Sequence, residues 1–112
     1  MKTPAAVKAL AALAQGTRLA IYRLLVQQGP EGLAAGMIAE RLDLPAATLS
    51  FHLKELANAG MVESRQDGRF VFYSANYDQM NGLLGYLTEN CCQGQNCMTA
   101  SAPPQQLKRK RA

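Results

Sequence analysis

The chain has 112 residues, 48% of them hydrophobic and 18% charged, the size of about one domain and the composition of a folded one, so a multidomain enzyme and a disordered or collagen-like chain are excluded. No apolar run reaches the roughly 18 residues that span a bilayer, and Lys8 interrupts the Ala-rich start, so neither a transmembrane helix nor a signal peptide is read and the expected address is the cytoplasm, with no membrane partner. The net charge of +4 and pI of about 9.2 point toward nucleic acid, but Lys108, Arg109, Lys110 and Arg111 supply the whole excess, so any such claim must rest on where cations sit in the folded part.

Thr3-Pro4 reads as a helix start, an acceptor side chain followed by a residue whose fixed φ suits the first turn. Val7, Leu10, Ala11 and Ala14 then recur at helical spacing until Gly16. Thr17 is expected to cap a second helix, in which Leu19, Ala20, Leu24 and Val26 continue toward Gln28 before the Gly29-Pro30-Glu31-Gly32 break. Two further helices follow with a tight joint: Met37 to Leu42, the turn Asp43-Leu44-Pro45, then Ala46 to Ala59, with Gly60 as the stop. In the later helix Leu49, Leu53 and Leu56 fall at i, i+4 and i+7 and form one buried stripe. Around that stripe stand Thr48, Ser50, His52, Lys54 and Glu55.

Val62 to Gln66 and Phe70 to Ser74 are rich in β-branched and aromatic residues and are separated by Asp67-Gly68 and Arg69. Asp-Gly tolerates the positive φ of a tight primed turn, so a β-hairpin is predicted. After Asn76 a last helix shows Met80, Leu83, Leu84 and Leu87 on one stripe, ends near Asn90 and runs into Cys91, Cys92 and Cys97. Residues 1–98 are read as one domain and 99–112 as a disordered basic tail, which is too poor in apolar residues to offset ordering entropy.

The fold class is therefore mainly α with a β-hairpin, in the order of a winged helix-turn-helix. A B-DNA major groove of ~12 Å admits one helix, so Thr48, Ser50 and His52 are expected to face base edges and Lys54 a phosphate. Arg65, Gln66 and Arg69 on the hairpin are expected against the adjacent backbone or minor groove, where cations add affinity but little sequence information. The lone His52 has no partner at metal-ligand spacing, and no catalytic role is read for it.

Four segments together, Ala14-Gln15-Gly16-Thr17-Arg18-Leu19-Ala20-Ile21, Ile38-Ala39-Glu40-Arg41-Leu42-Asp43-Leu44, Leu49-Ser50-Phe51-His52-Leu53-Lys54-Glu55-Leu56 and Ala59-Gly60-Met61-Val62, resemble the ArsR/SmtB family of bacterial metal-responsive repressors over roughly residues 5 to 92. The resemblance implies a homodimer, paired through its first and last helices, that binds an inverted-repeat operator on double-stranded DNA and releases it when a metal or metalloid ion binds. Dimerisation would employ the apolar stripes Val7, Leu10, Ala14 and Met80, Leu83, Leu87, and symmetry would set two recognition helices ~34 Å apart. Two departures stand out. Pro45-Ala46-Ala47 opens the recognition helix without polar groups, and Leu33-Ala34-Ala35-Gly36-Met37 lacks the cysteine pair that many arsenic-sensing members carry there.

The soft ligands sit at the end of the last helix instead. Neighbouring helical side chains diverge by ~100°, so Cys91 and Cys92 can converge only where the helix has ended, and Gly94 gives the backbone freedom to bring Cys97 near. Three thiolates with no fourth ligand suit a thiophilic three-coordinate ion better than tetrahedral zinc, which makes As(III), or Sb(III), the expected inducer; no organic cofactor is expected. Cd(II), Pb(II), Cu(I) and a redox sensor bridging Cys92 and Cys97 remain alternatives. A thiol enzyme is disfavoured, because a helix C-terminus and the nearby Glu89 oppose a reactive thiolate. The basic run is expected to add only nonspecific attraction to DNA.

Overall fold

The computed structural model describes residues 1–91. The division expected after residue 98 therefore lies outside the described residues. Helix α1 (Thr3–Leu13) opens at Lys2, with Pro4 in its first turn and no side-chain cap. Its buried face is Ala6, Ala9 and Ala12, whose small side chains let the helix lie close to its neighbours, while Val7 and Leu10 stay exposed. Helix α2 (Gly16–Gln28) is capped by Gln15 rather than by Thr17, the Gln15 side-chain oxygen accepting from the Arg18 N–H at 2.8 Å. Thr17 is already inside the first turn, where its hydroxyl cannot serve as the cap.

A two-residue strand β1 (Leu33–Ala34), which the sequence pattern does not predict, leads into α3 (Ala35–Leu42). Asp43, left-handed at φ 54, ends α3, and the chain turns into α4 (Ala46–Asn58). After Gly60, at φ +77, come β2 (Val62–Asp67), β3 (Phe70–Ala75) and α5 (Tyr77–Leu87). The Asn76 side chain caps α5 by accepting from the Gln79 N–H at 3.1 Å.

The sheet order is β1-β3-β2, antiparallel throughout. Asp67 pairs with Phe70, so the connecting turn is Gly68-Arg69 and not the expected Asp67-Gly68. Gly68 alone takes positive φ, +65, the signature of a type II′ hairpin turn with glycine first. Along the other edge of β3, Leu33 pairs with Tyr73. This requires Gly32, at φ +74, to pass so close that a Cβ there would stand 2.2 Å from the Tyr73 carbonyl oxygen.

The core is centred on α4. Leu53 and Leu56 are fully buried with Ile21 and Leu25 of α2, Ile38 of α3 and Met61, each worth about 1.5–3 kcal/mol relative to exposure. The expected stripe Leu49, Leu53 and Leu56 is thus the face that fixes α4 in the body, and its other face is left to solvent. Helix α5 buries Leu83 and half-buries Met80, whereas Leu84 and Leu87 point outward. The expected outward stripe through Leu83 is corrected accordingly: Leu84 takes its place. Among the described residues no single helix is long and apolar enough to cross a membrane.

Candidate nucleic-acid interface

Burial of one face of α4 decides what the other presents. Thr48, Ser50 and Lys54 are exposed, as expected. His52 is half-buried on the flank, with Nδ1 3.2 Å from Arg18 Nη1. Arginine can only donate, so Nδ1 is the acceptor in this contact. Arg18 is itself held by Nε, which donates to the Ala12 carbonyl at 2.7 Å. His52 is thus engaged with α2 as well as carried on α4, and its neighbour Phe51 is 56% exposed.

The hairpin residues separate in a similar way. Arg65 is drawn back toward the body, its Nη1 donating to the Glu31 carbonyl at 3.0 Å and its guanidinium lying 4.9 Å from the Phe72 ring centroid. Gln66 is exposed on β2, its amide donating to the Gly68 carbonyl across the turn at 3.4 Å. Arg69 is exposed on the turn and makes no hydrogen bond or ion pair among the described residues. Both expected wing cations are exposed; Arg65 is engaged with the Glu31 carbonyl and the Phe72 ring, and Arg69 is not engaged among the described residues.

Two clefts flank this assembly. One, of about 410 Å³, lies among α1, α2 and α4 and carries Lys8, Arg18, Glu55 and Asn58. The other, of about 340 Å³, is apolar, runs between α2 and α5, and includes Leu19, Tyr22, Met80 and Leu84. Burial raises the Tyr22 pKa above its ordinary value, with Tyr77 adding to the effect.

Residues 13–65 match a family of helix-turn-helix domains. The arsenical resistance operon repressor of Bacillus subtilis is 33% identical over 81 residues, 72% of this chain and 73% of the repressor. The transcriptional activator HlyU of Vibrio cholerae is 32% identical over 88 residues, 79% of each. A homodimeric winged helix-turn-helix DNA-binding domain from Mycobacterium bovis, described as a possible ArsR-family regulator, superposes with a TM-score of 0.63 at 27% identity, over 83% of this chain and 86% of that one. The chain belongs to the ArsR-like helix-turn-helix transcriptional regulators. For an ArsR-like regulator, α3, the Asp43 turn and α4 are the helix-turn-helix, and β2 with β3 is the wing.

The last expected site lies at the other end of α5. That helix ends at Leu87, earlier than the expected Asn90, which takes a left-handed φ of 59. Cys91 is half-buried just beyond, its N–H donating to the Thr88 carbonyl at 3.0 Å. Cys92 and Cys97 lie outside the described residues.

Proposed function

We propose that this ArsR-like protein is a homodimeric repressor that binds an inverted-repeat operator and leaves it when As(III), or Sb(III), binds the thiolates of Cys91, Cys92 and Cys97. The observation that carries the DNA half is the placement of α4, with its apolar stripe buried and Thr48, Ser50 and Lys54 free on a helix flanked by a wing tipped with Arg69. A helix so presented fits a major groove while the wing cation meets phosphate.

Pairing is supported by an apolar face spread over two helices. Helices α1 and α5 are joined by the hydrogen bond between the Thr3 and Tyr86 hydroxyls, and they expose Val7, Leu10, Leu84 and Leu87. A self-complementary two-fold contact covers such a face at once on both copies.

For the inducer, the support is chemical. Helix α5 ends at Leu87, so Cys91 does not ride on its continuous turns, along which neighbouring side chains diverge by ~100°. Three thiolates suit a trivalent, thiophilic ion. Among the described residues no three His, Cys, Asp or Glu side chains gather into another site, and one relative is an arsenical resistance repressor.

Duplex binding is tested by salt. Against a duplex selected from a random pool by the protein itself, affinity falls steeply between about 50 and about 200 mM salt. Arg69→Ala and Lys54→Ala each flatten the plot of log K against log salt by about two per dimer, about one for each phosphate that a protomer no longer neutralises. Salt-independent binding, or slopes unchanged in both variants, contradicts the reading. A reporter placed behind the selected duplex is expected to fall on expression of the protein; a rise makes it an activator.

A further inference from the structure

One large side chain exposed on α4 is apolar: Phe51, at 56%. Phe51 lies nearly opposite the buried Leu49, Leu53 and Leu56 at 100° per residue, one turn beyond the exposed Ala47 and one turn before the exposed Lys54 and Glu55. An aromatic ring exposed to water on the solvent face of a helix that should enter a groove has no role in the core. The apolar feature of a major groove is the thymine 5-methyl group, which phenylalanine contacts directly.

The ring is also held. His52 meets Phe51 edge-on, with centroids 5.2 Å apart and planes at 67°, the preferred aromatic arrangement. Arg18 fixes His52 at 3.2 Å and is fixed in turn by the Ala12 carbonyl at 2.7 Å. A chain of contacts thus runs from the end of α1 through α2 to the exposed ring of α4.

We infer that Phe51 is a specificity-determining residue that reads a thymine methyl group in each operator half-site, with His52 and Arg18 as its positioning residues. The inference rests on the DNA-binding reading above and names which base feature α4 takes.

The test uses the duplex selected by the full-length protein, with each thymine replaced in turn by deoxyuridine, a change that removes the methyl group alone. At one position per half-site the wild-type affinity falls about fourfold, and about fifteenfold when both half-sites are changed, the value of one buried methyl group per site. Phe51→Ala binds the parent duplex more weakly and no longer distinguishes thymine from uracil at that position. Arg18→Ala retains its salt slope but shows a smaller thymine-to-uracil ratio, an effect that general loss of stability does not produce. If no thymine position is sensitive, or Phe51→Ala keeps the wild-type ratio, the assignment of Phe51 is overturned. If Arg18→Ala keeps the ratio, its positioning role is overturned. Failure to select any duplex overturns the DNA-binding reading itself.

Discussion

Gly32→Ala disrupts the seam between the wing and the body. A Cβ at Gly32 meets the Tyr73 carbonyl oxygen at 2.2 Å and its carbon at 2.9 Å, both backbone atoms of a paired strand, and φ is +74. The left-handed conformation alone costs an L-residue about 1–2 kcal/mol, and relief of the clash requires the Leu33–Tyr73 pairing to part. A loss of about 3 kcal/mol or more is expected, a large share of the 5–15 kcal/mol typical of a domain. Gly68→Ala is the matched control: its φ of +65 is similar but nothing lies within 4 Å of the added Cβ, so about 1 kcal/mol is expected. Urea denaturation of the two variants checks this, and equal losses contradict the account of the seam.

Replacing Cys91, Cys92 or Cys97 by Ser leaves duplex affinity unchanged and abolishes release by arsenite. None of the three residues lies on α4 or the wing, so the reading surface is untouched, while serine supplies no thiolate to a soft ion. To move the protein from almost wholly bound to almost wholly free, the ion must favour the DNA-free form by ~10⁴-fold, on the order of 5.5 kcal/mol. By reciprocity the duplex must weaken ion binding by the same factor. Titration of the wild type and of each variant on a labelled duplex measures affinity and release, and release persisting in all three variants overturns the thiol assignment.

What can be read from the sequence and what cannot divides along the range of the interactions involved. The stripe Leu49, Leu53 and Leu56 and the hairpin around Gly68 are legible because helical spacing and turn chemistry are local. Strand β1 is not, since two residues carry no periodicity and the strand exists only through its pairing with β3. The one hint is Gly32 in a break already rich in turn residues. The contacts of His52 with Arg18 and of Arg65 with the Glu31 carbonyl each span 34 residues of sequence, so nothing local marks either side chain as held by tertiary packing. Phe51 escapes a reading of α4 that looks only for hydrogen-bonding groups. Its angular position opposite the leucine stripe is the available signal.

A soft ion at the end of α5 and DNA at α4 should exclude one another. Fluorescence anisotropy of the selected duplex, bound to the wild-type protein and titrated in turn with arsenite, cadmium and zinc, reads that exclusion without any substitution in the chain. Arsenite is expected to return the signal to that of free duplex at the lowest concentration, with zinc ineffective. A signal unmoved by arsenite refutes the proposed antagonism, and release by zinc ahead of arsenite refutes the assignment of the ion.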